Sequence, residues 1–276
     1  MILGIDAGGE MVKVFGGAMG HDSFPSDLGE WRDRRLVNTP GQDDMEWEYE
    51  GQKGFAGTLA QMESELGGAM KGETKAHFDG KMRVLLAIHR FIPNARGVDP
   101  SVQLVTGQPI SHHTEEEKSK IIDMLTGKHD LIVNGQRKIF RIKQVKVAAE
   151  GAAASMAQPV EGLIRILDIG SGTVNGASLL NMRYIDRESF TEPFGLATLG
   201  TSDESAIARR VNTIATSKKW KRNDLIRLIG GGAEIAELVN KVKEFFPNAE
   251  VFAPKRLSPK FSNAVGFYEI GLMLYG

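Results

Sequence analysis

Apolar residues form two kinds of pattern along this chain. Short runs that end at glycine or proline predict strands and hairpins over residues 2–6, 12–16, 45–50, 101–106, 131–142, 163–180 and 225–229. Apolar residues at helical spacing predict helices over residues 82–91, 114–125, 202–216, 233–246 and 263–274. Strand-rich stretches alternate with single helices, and this pattern occurs twice. The chain is therefore predicted to be an α/β protein with two related halves.

Each half begins with a hairpin whose turn carries one aspartate and two glycines. The turns are Asp6-Ala-Gly8-Gly9 and Asp168-Ile-Gly170-Ser171-Gly172-Thr173, each between two apolar strands. Glycine lets backbone N–H groups approach a ligand closely, and turns of N–H groups form anion-binding concavities. A carboxylate beside such a turn would repel a bare phosphate. The pattern therefore predicts Mg²⁺ between the two, held through water by Asp6 and Asp168.

A third glycine turn follows in Leu228-Ile-Gly230-Gly231-Gly232-Ala233-Glu234. An apolar strand is predicted to run into this turn, and a helix is predicted to begin after it. Helix N-termini attract anions, and glycine permits flat contact with a base or a ribose. Each turn alone is a common structural feature. The three together predict one nucleotide site that all of them contact.

The three turns, in this order, resemble the signature of the fold shared by actin, Hsp70 and sugar kinases. More closely, the sequence resembles the ParM/StbA family of bacterial actin-like ATPases, which segregate plasmids. The resemblance rests on the pattern Asp6-x-Gly8-x-x-x-x-Lys13, on the other two turns and on Asn263-Ala-Val-Gly-Phe-Tyr-Glu-Ile-Gly near the end of the chain. It implies an actin-like (ribonuclease H-like) fold with two related α/β domains around a nucleotide cleft.

The resemblance also implies roles for individual residues. Asp6 would act on magnesium-bound water, and Lys13 would reach the phosphates. Glu150, in Ala-Glu-Gly-Ala-Ala-Ala, stands where the family carries the acid that positions the attacking water. The implied nucleotide is ATP, with GTP as the alternative, and the implied assembly is a head-to-tail filament. A DNA-bound adaptor protein would connect that filament to a plasmid, and the chain itself is expected not to bind DNA.

The same resemblance divides the chain into two domains. Domain I is expected over residues 1–149 together with the closing helix 263–276, and domain II over residues 150–262. In the family, a subdomain called IIB precedes the adenosine strand. Here only Asn212 to Asn223 separates the neighbouring elements. Subdomain IIB is therefore expected to be absent, as in the shortened AlfA-type plasmid actins.

Composition excludes several other classes of protein. The chain has 276 residues, of which 41% are hydrophobic, and a formal net charge of −1, so no bulk charge favours nucleic acid or a membrane. The absence of cysteine excludes disulfides and cysteine nucleophiles. The N-terminus has no signal-peptide features, and no stretch approaches the roughly 20 apolar residues of a membrane span. A cytoplasmic location is expected.

Two other functions remain open at this point. The first is a small-molecule kinase of the same superfamily, since type III pantothenate kinases have comparable length. A kinase would need a base aimed at a substrate hydroxyl, and no additional acid stands out in the sequence. The second is a nucleotide-binding scaffold without turnover, which the presence of both Asp6 and Glu150 disfavours.

The remaining polar segments are predicted to have structural roles. Residues 63–80 contain little apolar material and are expected to form a mobile surface excursion. Residues 148–155 predict the start of an alanine-rich helix, and residues 182–190 a further strand. Residues 217–222 are expected to form a solvated basic linker, with a filament contact as the less favoured alternative. His112-His113 is expected in a surface turn rather than in a metal site.

Overall fold

The computed structural model describes residues 1–37, 39–65, 74–93, 100–198 and 203–276. These residues form two β-sheets and the helices that pack on them. The strands of the first sheet are β1 (Ile2–Ala7), β2 (Met11–Phe15), β3 (His21–Pro25), β4 (Leu28–Glu30), β5 (Asp44–Tyr49), β6 (Gln52–Gly57), β7 (Ser101–Gln108), β8 (Gly127–Val133) and β9 (Gln136–Ala149). Their order in space is β3-β2-β1-β7-β9-β8-β5-β6-β4.

The second sheet is smaller. Its strands are β10 (Leu163–Ile169), β11 (Val174–Leu180), β12 (Arg183–Tyr184), β13 (Phe190–Glu192), β14 (Ile226–Ile229) and β15 (Ala249–Val251). Their order is β12-β11-β10-β14-β15, with β13 also paired to β11. The α-helices of the described residues are α1 (Thr58–Glu63), α2 (Phe78–Phe91), α3 (Glu115–Leu125), α4 (Glu204–Ser217), α5 (Ala236–Phe245) and α6 (Ser262–Tyr275).

Both sheets contain the same local arrangement around a hairpin. In the first sheet, β1 pairs antiparallel with β2 and parallel with β7. In the second, β10 pairs antiparallel with β11 and parallel with β14. Central strands of this kind are covered on both faces, which explains why their sequences are almost continuously apolar. The arrangement confirms the predicted α/β fold with two related halves.

Helix α6 ends the chain but packs across the beginning of it. Two glycines permit the close approach. A β-carbon on Gly4 would lie 2.1 Å from the carbonyl oxygen of Ala264, and one on Gly266 would lie 2.0 Å from that of Ala153. Helix α6 therefore lies directly on β1 and against the short 3₁₀ helix Ala152–Ala157. This packing brings its first residues to the carboxyl end of β1.

Two of the secondary-structure predictions are wrong. Residues 148–155 do not form one helix, because β9 continues to Ala149 beside β7 and only Ala152–Ala157 becomes a 3₁₀ helix. The pairing with β7 overrides the helical preference of alanine. Residues 182–190 do not form one strand, because Asn181 and Met182 have φ values of 49° and 62° and turn the chain sharply. Strand β12 therefore has two residues, and a 3₁₀ helix follows over Asp186–Glu188.

The basic linker is also not simply solvated. Residues 218–225 connect α4 directly to β14, with no subdomain inserted at this place. Within the linker, the Trp220 side chain is buried, with its ring centroid 5.5 Å from that of Phe190 and 6.4 Å from that of Phe246. The indole N–H donates to the carbonyl oxygen of Glu188 at 2.9 Å. Trp220 is therefore a core residue of the second half, whereas the adjacent Lys221 is exposed.

Candidate functional site

Residues of both sheets line a cleft of about 390 Å³, and both aspartate-bearing turns open into it. The turns face each other closely, since a β-carbon on Gly9 would lie 3.7 Å from the Ser171 hydroxyl oxygen. Of the residues predicted from the sequence, the lining contains Asp6, Gly8, Gly9, Lys13, Glu150, Asp168, Gly170, Ser171, Gly172, Thr173, Gly230 and Gly231. Gly232 and Ala233 are buried behind the third turn and do not reach the lining.

The first turn pairs an acid with a lysine. Asp6 on β1 lies directly opposite Lys13 on β2, and Lys13 Nζ is 3.4 Å from Asp6 Oδ2. A β-carbon on Gly8 would lie 2.8 Å from Lys13 Nζ. Any larger residue at position 8 would therefore displace the Lys13 ammonium from the turn. Burial raises the pKa of the Asp6 carboxyl, but the charges of Lys13 and Lys75 outweigh burial and hold that pKa below its ordinary value.

Lys75 is a second lysine at this acid, and sequence reasoning missed it. Its Nζ lies 3.3 Å from Asp6 Oδ1 and contacts Glu150 Oε1. The predicted surface excursion is therefore wrong at Thr74, Lys75 and His77, which line the cleft, and at residues 78–80, which begin α2. Residues 66–73 lie outside the described residues. Polar contacts hold Thr74 and Lys75, while Ala76 packs on the core of the first sheet and the Phe78 ring centroid lies 6.0 Å from that of Trp47. The segment contains too few apolar residues for hydrophobic periodicity to reveal it.

Glu150 follows the last residue of β9. Its backbone N–H donates to the carbonyl oxygen of Gln108 at 3.0 Å. A β-carbon on Gly107 would lie 2.3 Å from the Phe267 ring and 2.9 Å from Glu150 Cγ, so glycine there makes room for both side chains. Burial raises the pKa of the Glu150 carboxyl above its ordinary value; the charge of Lys75 opposes the rise and that of Asp6 adds to it. A buried carboxyl with this shift, in a cleft, is typical of a group that accepts a proton.

Asp168 lies near the end of β10, opposite Asn175 on β11. Its Oδ2 accepts a hydrogen bond of 2.8 Å from Nδ2 of Asn263, which belongs to α6. The amide oxygen of Asn263 in turn accepts from the Gly151 N–H at 2.9 Å. Burial, followed by the negative charge of Asp6, raises the pKa of Asp168 to about 7. A cation in the cleft would favour the carboxylate form of this residue.

The second turn is supported from behind by residues of the following loop. Within the turn, the Gly170 N–H donates to the carbonyl oxygen of Thr173 at 3.0 Å. The Leu196 N–H donates to the carbonyl oxygen of Gly170 at 3.0 Å, and the Ala197 N–H donates to that of Ser171 at 2.9 Å. These bonds connect the loop that contains Leu196 and Ala197 to the carbonyl oxygens of the second turn. Gly170 and Gly172 add no side chain that could cover the N–H groups of the turn.

The third turn approaches the second through Gly230. Its φ is +80°, a value that favours glycine, and a β-carbon there would lie 2.4 Å from Asp168 Oδ1. The next residue, Gly231, begins a 3₁₀ helix over Gly231–Glu234, and α5 begins only at Ala236. The predicted helix start at residue 233 is therefore displaced by three residues, and a short turn of helix faces the cleft instead.

The residues present fit a Mg²⁺ ion that takes only one or two ligands from the protein and the rest from water and phosphate oxygens. In the described parts of the chain, no group of three or more His, Cys, Asp or Glu side chains is placed to hold a metal ion. Asp6 and Asp168 supply carboxylate oxygens, and Mg²⁺ commonly binds through one or two carboxylates together with water and substrate phosphates.

Two other features of the described residues were also expected from the sequence. His112 lies in a 3₁₀ turn, as predicted from the sequence. No helix of the described residues is long and apolar enough to cross a bilayer.

Comparison with known proteins agrees with this arrangement. The family model described as the N-terminal domain of actin-like proteins matches residues 4–152, and no curated protein matches the chain. Among solved structures, AlfA from a Bacillus subtilis plasmid, in a filament structure, is 20% identical with a TM-score of 0.80, covering 100% of this chain and 99% of that one. An AlfA filament bound to AMPPNP is 21% identical with a TM-score of 0.76, covering 100% and 96%.

A third similar structure is a 15-stranded ParM filament from Clostridium botulinum. It is 18% identical with a TM-score of 0.78, and the match covers 99% of each chain. The TM-scores and coverages of these three structures establish a shared fold over the whole chain, and the family model covers more than half of it. Together they confirm the resemblance inferred from the glycine turns: the chain belongs to the actin-like proteins and has the actin-like fold.

Proposed function

We propose that this protein binds ATP, or alternatively GTP, with Mg²⁺ in the cleft and hydrolyses it. The observation that carries the proposal is the convergence of Asp6, Glu150 and Asp168 on one cleft that also contains Lys13 and three glycine turns. Carboxylates beside N–H-rich turns and lysines suit a magnesium nucleotide better than a bare anion. An AlfA filament of the same fold is bound to AMPPNP, which supports a nucleotide as the ligand.

Different residues of the chain would have different roles in phosphoryl transfer to water. The backbone of both turns and the Lys13 ammonium would bind and orient the phosphates. Glu150 would orient the attacking water and accept its proton. Mg²⁺, held near Asp6 and Asp168, would neutralise phosphate charge when bound. Such transfer depends on positioning and charge stabilisation, so no side chain needs to act as a nucleophile.

Phosphate release with ATP or GTP and Mg²⁺, without any acceptor, tests the proposal. Wild-type protein should turn over, and Glu150→Gln and Asp168→Asn should lower kcat by about 100-fold or more. Glu161→Gln, at an exposed loop position, is the matched control and should turn over like wild type. Wild-type rates in both cleft variants would refute the site. Formation of nucleoside diphosphate that needs an added small-molecule acceptor and yields no free phosphate would instead favour the kinase alternative.

We further propose that nucleotide-bound subunits polymerise head to tail into filaments that segregate plasmid DNA in the cytoplasm. The filament structures of AlfA and ParM support self-association. A head-to-tail contact whose rotation does not close into a ring produces a helical filament. A plasmid-bound adaptor protein would make the connection to DNA. Sedimentation and electron microscopy with and without nucleotide test assembly, and a protein that remains monomeric at high concentration would contradict it.

The division into domains belongs to the same proposal. Domain I would comprise residues 1–149 with the closing helix, and domain II residues 150–262. Packing of α6 on β1 supports its assignment to domain I. The direct connection from α4 to β14 supports the absence of subdomain IIB. The cleft then lies between the domains, where nucleotide would contact both.

A further inference from the structure

Lys75 occupies a position in the cleft that the proposed roles of the other residues leave unexplained. Its ammonium is 3.3 Å from Asp6 Oδ1 and contacts Glu150 Oε1. The side chains of Lys75, Asp6 and Glu150 are 16%, 8% and 9% exposed, so the contacts are largely shielded from water. Lys13, by comparison, pairs only with Asp6 among the described residues. Lys75 is thus the cation that bridges the two acids.

Two buried carboxylates this close to one cation would repel each other without it. The cost of bringing like charges together is high where water is excluded. The Lys75 ammonium removes that repulsion and also restricts the Glu150 side chain, because its Oε1 has no hydrogen-bond donor in the described residues other than this ion-pair partner. The position of the Glu150 carboxylate therefore depends on Lys75.

Gln108 holds both members of this ion pair. Its backbone oxygen accepts from the Glu150 N–H at 3.0 Å, and its side-chain oxygen accepts from the Lys75 N–H at 3.0 Å. Its side-chain Nε2 also donates to Thr74 Oγ1 at 2.8 Å, which anchors the segment before Lys75. Gln108 is completely buried. The Gln108 side chain thus fixes residues 74 and 75, and the Gln108 backbone fixes Glu150, so one residue of β7 positions both partners of the ion pair.

The beginning of α2 fits closely against the same segment. A β-carbon on Gly80 would lie 2.2 Å from the carbonyl oxygen of Lys75, so glycine at this position lets the first helical turn approach. The His77 ring nitrogen accepts from the Gly80 N–H at 3.3 Å and caps that turn. The backbone on both sides of Lys75 is therefore held, by Gln108 before the side chain and by the α2 cap after it.

We propose that Lys75 is a positioning residue for hydrolysis, which sets the Glu150 carboxylate against the attacking water by bridging it to Asp6, with Gln108 as its support. The inference rests on the proposed function of Glu150. The inference extends that proposed function by assigning a role to a lysine outside the three glycine turns. A residue that acts in this way changes turnover more than nucleotide affinity, because it acts through Glu150 rather than through the phosphates.

Kinetics of Lys75→Met test the proposal. With ATP and Mg²⁺, kcat should fall by about 100-fold while the nucleotide Kd changes less than about threefold. Lys75→Arg should retain part of the activity, because it preserves the charge. Lys81→Met is the matched control: Lys81 is also 16% exposed but pairs with Glu50, outside the cleft lining, and its loss should leave kcat unchanged.

A double-mutant cycle separates positioning from a general structural role. In the Glu150→Gln background, Lys75→Met should cause little further loss of kcat, since both changes remove the same contact. Independent, multiplicative losses would overturn the proposal. A Lys75→Met protein with wild-type kcat would also overturn it, provided that wild type hydrolyses nucleotide. Absence of turnover in wild type would refute the proposed function itself.

The same cycle measured by thermal unfolding without nucleotide gives a readout that needs no activity. Lys75→Met should lower the Tm, because it leaves two buried carboxylates without their shared cation. Adding Glu150→Gln should recover part of that loss, because it removes one of the two charges. Additive changes in Tm would mean that the two side chains are not coupled, and would overturn the proposal. Gln108→Met should reproduce the fall in kcat to a smaller extent.

Discussion

Asn263, in the first turn of the last helix, donates a hydrogen bond of 2.8 Å to Asp168 at the end of β10. The same side chain accepts a bond of 2.9 Å from the backbone of Gly151. Asn263 therefore connects the acid of the second turn to the residue that follows Glu150. Since α6 packs on the first sheet, this one amide joins the two halves of the molecule at the cleft.

Replacing Asn263 should destabilise the protein and disturb the acid it holds. Asn263→Ala leaves the Gly151 N–H and a carboxylate oxygen without their partner, at a cost of about 3 kcal/mol in the free energy of unfolding. Urea denaturation measures this change. Asn248→Ala is the control, because Asn248 donates to the carbonyl oxygen of Asn223 at an exposed site and should cost less than about 1 kcal/mol. Equal effects would contradict the assignment.

Alanine at position 230 should be far more damaging than alanine at another left-handed glycine. Gly230 and Gly51 have φ values of +80° and +77°, so both substitutions carry similar backbone strain. Only at Gly230 would the new β-carbon meet Asp168 Oδ1, at 2.4 Å, whereas nothing lies within 4 Å at Gly51. Gly230→Ala should lower both stability and nucleotide binding, while Gly51→Ala shows the backbone strain alone. Calorimetry of nucleotide binding and thermal unfolding measure the difference.

Acid should unfold the protein partly through His89. Burial, opposed by a hydrogen bond to the carbonyl oxygen of Gln136, lowers the pKa of this histidine to about 4. The unfolded chain, with a pKa near 6.5, binds the proton more tightly. The stability that neutral His89 contributes is therefore complete above about pH 6.5 and is lost as the pH falls toward 4. The loss in the free energy of unfolding is about 2 kcal/mol at pH 5.

Denaturation of wild type and His89→Gln at pH 7.5 and pH 5 measures the effect of this histidine. Glutamine can still donate to the Gln136 carbonyl oxygen but does not titrate. The variant should therefore lose less stability between the two pH values than wild type does. His129, whose pKa burial also lowers, contributes equally to both proteins and cancels in the comparison. Identical losses in the two proteins would mean that His89 does not carry the effect.

Trp220 should behave as a core residue rather than as part of a linker. Trp220→Ala removes an aromatic ring packed between Phe190 and Phe246, and should cost about 3 to 5 kcal/mol. Lys221→Ala, at the next and exposed position, should change stability by less than about 0.5 kcal/mol. Urea denaturation of both variants distinguishes the two positions. A small effect at Trp220 would restore the sequence-based interpretation of a solvated linker.

The segments that sequence patterns predicted well are those whose conformation is decided locally. Hairpins β1–β2 and β10–β11 follow from apolar runs on both sides of a glycine turn. The hairpin predicted over residues 131–142 turns at Asn134 and Gly135, which both have positive φ. The helix predicted from residue 114 also begins for a local reason, because the Thr114 side chain accepts a hydrogen bond from the Glu117 N–H and caps α3. Such features depend on backbone sterics over a few residues, so no distant contact was needed to find them.

Tertiary structure decided which polar residues join those turns. Lys75 reaches Asp6 across 69 positions of sequence, and Asn263 reaches Asp168 across 95. Trp220 lies in a basic stretch, yet the second core buries it. Hydrophobic periodicity reports burial along one element and contains no information on polar contacts between distant ones. The sequence by itself determined the three turns and their acids, because glycine and aspartate act locally. Only the folded chain decided which lysine and which amide hold those acids, because that depends on long-range packing.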